Sequence, residues 1–323
     1  MSQNLLGTYL QLIGTTWVYL ATGTLRRLSW LAKGPVLAAL YPIVMLLLQL
    51  MAAVTVGFLT GGVLSDAAVW GLSLAGVPHG GVVLTLAASA IRLVVALPLA
   101  LLILRWFKSK DDRLYAHYLM HDYAFTASRM GAYPLELEKR LVVFRERVAQ
   151  ALASDVDEVL IVGHSSGAQL AVSLASDLLA QNQVPRHGPS LSVLTLGHVI
   201  PMVSFLPKAG RLRRDLNRLG GAEDIAWIDV SAPGDGCSFA LSDPVAVSGV
   251  SPAHQRWPLV LSAAFSHTLS SSMRAKLRHR YFRLHFQYLC AFDQPGDYDY
   301  FQITAGHCAS GFAADGLRRN VST

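Results

Sequence analysis

One serine stands in a sequence that could make it a nucleophile. Ser165 lies within Gly163–Gly167 (GHSSG), directly after the apolar run Val159–Val162 and directly before the helical sequence AQLAVSLASDLL. A G-x-S-x-G sequence between a strand and a helix predicts a sharp turn that projects the serine hydroxyl above a sheet. Small residues two positions before and after the serine let the strand and helix approach, and the N–H of Ser166 would face a developing oxyanion.

The same residues exclude two other kinds of glycine-rich site. A dinucleotide loop needs G-x-G-x-x-G and a phosphate loop needs Gly-Lys-Ser/Thr, and neither is present here. A serine hydroxyl is a weak nucleophile without an adjacent base, and the base needs an acid that orients it. The sequence after Ser165 should therefore supply a histidine and a carboxylate.

On this motif and its strand–helix context, the chain resembles the α/β-hydrolase superfamily, and within it the small lipase- or esterase-like serine hydrolases. The resemblance covers about residues 115–305 and leaves the N-terminal third outside. It implies a Ser–Asp–His triad in that chain order. It also implies cleavage of a carboxylic ester, or a related acyl bond, through an acyl-enzyme on Ser165.

Two aspartates are candidates for the acid. Asp235 lies in the turn-rich loop 231–236 (SAPGDG), directly after the predicted strand 225–230, and a loop after a strand is where the acid is expected. Asp243, before a proline, is the second candidate, whereas Asp229 lies inside the strand and is less suited. Asp235 could also be a simple turn residue between two glycines.

Two histidines are candidates for the base. His285 lies in an apolar and aromatic segment (RLHFQYL), which resembles the histidine-containing segment of lipase-like relatives. His307 follows a predicted short strand at 300–304, and a loop position after a strand also suits the catalytic histidine of the family. We favour His285, and the other histidine is then structural.

The second donor of the oxyanion hole normally comes from the loop after an early strand. In this chain that loop is 121–124 (HDYA), so the N–H of Tyr123 is the candidate. A further segment, 201–221, mixes basic and apolar residues. It is either a lid that contacts anionic headgroups or an ordinary solvated helix.

The elements that would position these residues alternate between strands and helices. Strands are predicted at 115–125, 159–162, 192–196 and 225–230, and helices at 134–153 and 169–179. This alternation favours an α/β fold, with a parallel sheet and helices on both of its faces. We expect residues 111–323 to form a compact α/β-hydrolase-like catalytic domain.

The N-terminal third differs from the rest in composition. Hydrophobic residues make up 52% of the chain and charged residues 15%, and the whole formal charge of +6 belongs to residues 1–110. The uncharged run 36–59 and the run 82–106 are each longer than the about 20 residues that a spanning helix needs. Residues 1–110 are therefore predicted to form a membrane region, a transmembrane helical hairpin with a turn at 76–81. Arg92 lies inside the second run, where a charge is costly.

The flanking charges predict an orientation. Basic residues precede the first run and follow the second one, whereas the intervening loop carries almost none. By the positive-inside rule both outer flanks are cytoplasmic. We expect an integral protein of the bacterial inner-membrane type with a cytoplasmic catalytic domain.

Other partners and cofactors are not indicated. Cations that flank apolar runs differ from the basic face of a nucleic-acid reader. The three cysteines show neither zinc-site spacing nor a disulfide framework, so no metal and no cofactor are expected. The expected partners are the lipid bilayer and an apolar acyl ester.

The function expected from the sequence is that of a membrane-anchored serine hydrolase of the carboxylesterase or lipase type. Two alternatives stay open. One is a membrane-anchored scaffold that has a hydrolase fold and no catalysis. The other is an acyltransferase that uses the same serine, because a fold does not determine the acceptor of an acyl group.

Overall fold

The computed structural model describes residues 4–76, 81–296 and 298–306. Most of the predicted turn at 76–81 lies outside these residues, and so does His307. The helices of the described part are α1 (Leu5–Ala21), α2 (Thr24–Leu31), α3 (Lys33–Leu74), α4 (Val82–Ser109), α5 (Asp111–Leu114), α6 (Ala116–Ala127), α7 (Leu135–Leu152), α8 (Gly167–Ala180), α9 (Pro201–Ser204), α10 (Gly210–Gly220), α11 (Pro244–Val247), α12 (Phe265–Thr268), α13 (Ser271–Leu277), α14 (Tyr281–His285) and α15 (Tyr300–Ala305), with a 3-10 turn at Gln287–Leu289.

Four parallel strands form the sheet of the described residues. They are β1 (Glu158–His164), β2 (Ser190–Leu196), β3 (Ile225–Ser231) and β4 (Leu259–Ser262), in the spatial order β1-β2-β3-β4. Each strand pairs with the next one along the chain. Because the strands are parallel, their carboxyl ends lie at one edge of the sheet, and the loops after β1, β2 and β3 meet there.

Side chains on the two faces of strand β2 pack in two different hydrophobic cores. Leu191 and Val193 of β2 belong to a core shared with α7, α8 and α10. Leu194 and Leu196 of the same strand belong to a second core, shared with the segments from α12 to α15. Successive residues of a strand point to opposite faces, so helices cover both faces of the sheet. The predicted parallel sheet is present as a small sheet of four strands in a largely helical chain, which is compatible with an α/β fold.

Two predicted strands are wrong. Residues 116–127 form helix α6, in which Ala116, Met120, Ala124 and Ala127 are buried at a helical spacing. The aromatic residues of 115–125 favour a strand, but this buried stripe decides the structure. Residues 300–305 form α15, because the Asp299 side chain caps the helix by accepting hydrogen bonds from the N–H groups of the first turn.

Helices α3 and α4 contain the two apolar runs. They are 42 and 28 residues long, each with a mean hydropathy of 2.3 in its most apolar window, and both are long and apolar enough to cross a membrane. They approach each other at two glycines. A Cβ at Gly57 would lie 2.6 Å from the carbonyl oxygen of Ala96, and one at Gly61 would lie 2.5 Å from that of Arg92. Two glycines four residues apart on one helix are typical of close helix packing in membranes.

Arg92 has partners within this helix pair. Its Nη2 lies 3.6 Å from the Asp66 carboxylate, and its guanidinium carbon lies 5.1 Å from the centre of the Phe58 ring. The guanidinium group of Arg92 in α4 is therefore directed at α3.

The chain divides into two compact units. One comprises Met1–Gly14 and Ala39–Ala124, and the other comprises Thr15–Ala38 and Phe125–Thr323. Helix α2 and the start of α3 belong to the unit that holds the sheet, whereas α5 and most of α6 belong to the other unit, so neither unit is one continuous part of the chain.

Candidate active site

Ser165 forms the turn between β1 and α8. Its backbone has a φ of 56°, a left-handed value that is rare for a residue with a side chain. The Ser165 N–H donates to the carbonyl of Leu196 at the end of β2, over 2.9 Å. The serine is half-buried. A left-handed residue at a turn between a strand and a helix is the backbone conformation that a nucleophile elbow requires.

The two glycines of the motif have unequal roles. A Cβ at Gly163 would lie 2.6 Å from the carbonyl oxygen of Gly167 and 2.8 Å from the Cβ of Ala171. Helix α8 therefore crosses β1 at a distance that only a glycine at position 163 permits. At Gly167 a Cβ would meet nothing within 4 Å. The expectation that both positions must be small is correct for Gly163 and wrong for Gly167.

His285 and Asp235 form a buried pair. Nδ1 of His285 lies 2.7 Å from Oδ2 of Asp235, and the two residues are 3% and 2% exposed. An ionised carboxylate can only accept, so Nδ1 carries the proton and Nε2 keeps its lone pair. A histidine in this tautomer can take a proton at Nε2 while the carboxylate stabilises the resulting charge.

Two further hydrogen bonds hold the Asp235 carboxylate, and a third holds the tyrosine that donates one of them. The Tyr288 hydroxyl donates to Oδ2 over 3.0 Å, and the same hydroxyl accepts from the Ala232 N–H over 2.9 Å. The N–H of Cys237 donates to Oδ1 over 2.9 Å. Burial alone would raise the pKa of Asp235, but the hydrogen bonds, with that from His285 first, hold it below its ordinary value. The carboxylate is therefore charged at neutral pH.

His164 connects the serine turn to the buried pair. Its Nε2 donates to the backbone carbonyl of His285 over 2.9 Å, and the two imidazole centres are 4.6 Å apart. Burial lowers the pKa of His164 to about 4, and the neighbouring His285 adds to the effect. His164 is thus neutral at ordinary pH, and as the residue before Ser165 it fixes where His285 lies.

Gly197 gives the histidine room beside the serine turn. It follows Leu196, which accepts the hydrogen bond from Ser165, and it has a φ of 52°. A Cβ at this position would lie 2.6 Å from the Tyr288 ring and 3.2 Å from Cε1 of His285. The imidazole therefore packs directly on the loop that holds the serine backbone.

The Ser165 hydroxyl makes no hydrogen bond to a side chain or backbone group of the described ranges. Proton transfer from it needs Nε2 of a histidine within about 3.2 Å, a distance that catalytic groups often reach only with substrate bound. What the structure brings together is a strained, accessible serine and an oriented, buried histidine–aspartate pair, joined through His164 and Gly197.

Of the two candidate donors of an oxyanion hole, the N–H of Ser166 lies at the start of a helix, whereas the N–H of Tyr123 lies inside one. Ser166 is the N-cap of α8, so its N–H is free of helical hydrogen bonding. Tyr123 lies inside α6 and not in a loop, and its side chain packs on the cluster that contains Leu46 and Met120. An N–H in a helix interior bonds to the preceding turn. Tyr123 therefore has no N–H to offer to an oxyanion.

The alternative acids have structural contacts of their own. Asp243 caps α11, since its carboxylate accepts from the N–H groups of Val245 and Ala246. Asp229 lies inside β3, where it accepts a hydrogen bond from Thr195. Neither of them contacts His285.

The segment 201–221 is part of the packed domain. It forms α9 and α10, and Arg211 of α10 pairs with Asp177 and Asp215 over 2.7 and 2.5 Å. Arg213 donates to the carbonyls of Ser204 and Leu206. These contacts hold the arginines of the segment within the fold, so the lid expected as one of its two interpretations is not seen.

Three potential metal ligands lie close together in the described part of the chain. Side-chain atoms of Asp235, Cys237 and His285 lie within 4.8 Å of one another. Two ligands of one tetrahedral zinc ion, each at about 2.0–2.2 Å, lie more than about 3 Å apart, whereas Nδ1 and Oδ2 are 2.7 Å apart. Burial also raises the pKa of the Cys237 thiol to about 12. The arrangement fits a hydrogen-bonded pair better than a metal site.

Comparison of the chain with protein-family models, with curated proteins and with solved structures gave no match in any of the three.

Proposed function

We propose that this protein is a membrane-anchored serine hydrolase, related in architecture to the lipase- and esterase-like α/β-hydrolases, that cleaves a carboxylic ester or a related acyl bond. The observation that supports it most is the left-handed Ser165 at a strand–helix turn, next to the buried His285–Asp235 pair. Strained residues of this kind are concentrated at functional sites, and a buried, oriented histidine is what a serine nucleophile requires.

In the proposed reaction Ser165 Oγ attacks the acyl carbonyl while His285 Nε2 takes its proton. Asp235 holds the imidazole and stabilises its positive charge. The Ser166 N–H, at the positive end of α8, donates to the oxyanion. The imidazolium returns the proton to the leaving alcohol, and an acyl-enzyme forms. A water molecule, deprotonated by His285, then releases the acid and regenerates the serine.

The two long apolar helices support a proposal for the kind of substrate. We propose that α3 and α4 cross a bacterial inner membrane and that the sheet-containing domain is cytoplasmic, by the positive-inside rule. An anchored site meets esters at the membrane surface, so an apolar, lipid-like acyl ester is the proposed substrate.

A fluorophosphonate probe, which reacts with activated serines, tests the proposal. The wild-type chain in mild detergent should be labelled, and Ser165→Ala should abolish labelling. Ser154→Ala is the matched control, since this exposed serine bonds only to its own helix end. His285→Ala and Asp235→Asn should each lower the labelling rate at least about 100-fold, as expected when a general base is lost.

The outcomes separate the alternatives. A wild-type chain that is not labelled and does not cleave 4-nitrophenyl butyrate or octanoate contradicts the hydrolase and favours a non-catalytic scaffold. Labelling of Ser165 with acyl transfer to an added alcohol or thiol faster than to water favours an acyltransferase.

A further inference from the structure

Helix α2 presents an aromatic and basic surface just before the first apolar helix. Thr24 and Leu28 are buried against the sheet-containing unit, whereas the Trp30 side chain is 86% exposed. The next helix, α3, begins at Lys33, only two residues after α2 ends. An exposed tryptophan beside basic residues at the start of an apolar helix is typical of the membrane–water interface.

A groove of about 660 Å³ lies along this helix. It is lined by Arg26, Arg27, Trp30, Leu31, Phe205 and Val247. Its walls therefore combine two guanidinium groups with aromatic and aliphatic side chains.

Among the described residues, the two arginines of the groove have no acidic partner. Arg27 stacks on the Phe205 ring, with its guanidinium carbon 4.4 Å from the ring centre, and donates to the Phe205 carbonyl over 3.4 Å. Within the described ranges, neither Arg26 nor Arg27 has a carboxylate within 4.0 Å. Arg211, by contrast, pairs with three carboxylates. The groove thus carries two positive charges that no carboxylate of the described part of the chain neutralises.

We infer that this groove binds the phosphate of an anionic phospholipid headgroup. A guanidinium matches phosphate oxygens with paired N–H donors, and Arg27 is already held in place by Phe205. Trp30 and Leu31 would contact the glycerol and the upper part of the acyl chains. The inference rests on the membrane insertion proposed for α3, which would hold the groove at headgroup level, and it does not depend on catalysis.

Tryptophan fluorescence of the full chain in neutral detergent tests this. Dioctanoyl phosphatidylglycerol is titrated, and the difference between wild type and Trp30→Phe isolates the signal of Trp30 from the other tryptophans. A saturable change is expected with phosphatidylglycerol and not with dioctanoyl phosphatidylcholine. Arg26→Gln should weaken binding at least fivefold, and Arg26→Gln with Arg27→Gln more than tenfold.

A matched control removes two charges elsewhere. Arg105→Gln with Lys108→Gln, at the far end of α4, should leave the dissociation constant within twofold of wild type. Because Arg27 also supports Phe205, thermal unfolding is measured for every variant. If the double variant is unstable, the single variant Arg26→Gln serves as the test. Equal binding of phosphatidylcholine, an equal loss in the control, or equally tight saturation by inorganic phosphate would each overturn the inference.

The test is independent of the proposed hydrolase activity. The same titration is made with Ser165→Ala, which should bind the lipid like wild type. Lipid binding without fluorophosphonate labelling would contradict the proposed hydrolase activity and support the lipid site. Fluorophosphonate labelling without lipid binding would support the hydrolase activity and contradict the lipid site.

Discussion

The carboxylate of Asp235 is the most constrained group of the candidate site. His285 and Tyr288 both donate to its Oδ2, and Cys237 donates to its Oδ1. His285 and Tyr288 lie three residues apart, so one short segment supplies both the imidazole and a second hydrogen bond to the acid. Tyr288 is a positioning residue in this arrangement, since its hydroxyl holds the acid and its ring lies edge-on to the imidazole, with the ring centres 6.4 Å apart.

Tyr288→Phe should destabilise the protein in a pH-dependent way. The pKa of Asp235 is lowered in the folded state. Its contribution to stability is therefore present above the unfolded pKa of about 3.9 and is lost as the pH falls through the lower folded value. Without the tyrosine hydroxyl the folded pKa rises and the Ala232 N–H loses its acceptor. We expect a loss of about 1–3 kcal/mol at pH 6 and a smaller loss at pH 3, measured by denaturant unfolding in detergent.

Tyr298→Phe is the control for this prediction. Tyr298 is also buried, but its hydroxyl donates to the Tyr288 carbonyl and does not contact Asp235. The loss of stability caused by Tyr298→Phe should be the same at pH 6 and pH 3. A loss for Tyr288→Phe that is equally independent of pH would show that the tyrosine only fills space.

The crossing of β1 and α8 determines the site at the level of elements. The strand ends at His164, the helix begins at Gly167, and the two pack at Gly163 with no space for a side chain. This close approach is accompanied by the left-handed backbone of Ser165 in the turn. It also brings the serine to the carboxyl edge of the sheet, where the loops after β2 and β3 supply Gly197 and Asp235.

Gly163→Ala should therefore disrupt the site, and Gly167→Ala should not disturb the fold. The added methyl at 163 would overlap the Gly167 carbonyl and the Ala171 side chain, and overpacking of this kind costs about 3 kcal/mol. At position 167 the methyl meets open space, so stability should stay within about 1 kcal/mol of wild type. Thermal unfolding of both variants measures the difference. Equal destabilisation by the two changes would contradict the close crossing.

Net charge and long apolar segments distinguish the N-terminal third of the chain from the rest. The positive charge belongs to the part that contains α3 and α4, and the later 213 residues have equal numbers of acidic and basic side chains. Within the helix pair, Gly57 and Gly61 allow close packing, and Arg92 meets Asp66. A polar pair between two apolar helices lowers the cost of a charge in a membrane.

The proposed topology predicts opposite labelling of two cysteines. In intact bacteria, a membrane-impermeant maleimide should label Ala75→Cys, made in a chain whose native cysteines are replaced by serine. It should not label a chain that keeps only Cys290, which is exposed in the sheet-containing unit, until the cells are permeabilised. Labelling of Cys290 in intact cells would reverse the orientation.

Several elements could be predicted from sequence because their determinants are local. The short, mostly apolar segments at 159–162, 192–196 and 225–230 are typical of strands, and the spacing of apolar residues in 134–153 is typical of a helix. The long apolar helices follow from composition in the same way. The segment 115–125 was misassigned because its aromatic content favours a strand, while the buried alanines that make it a helix matter only in the packed protein.

The order of residues alone predicts a serine at a turn between a buried strand and a helix, after a long apolar and basic N-terminal region. The pairing of the acid with the histidine could be read only from the folded chain. Asp235 and His285 are 50 residues apart in the chain, and Asp243 could not be set aside until it was seen to cap a helix. His164 belongs to the G-x-S-x-G motif, but neither its contact with His285 nor the role of Tyr288 had a signal in the sequence, because these hydrogen bonds join segments that come together only when the sheet is complete.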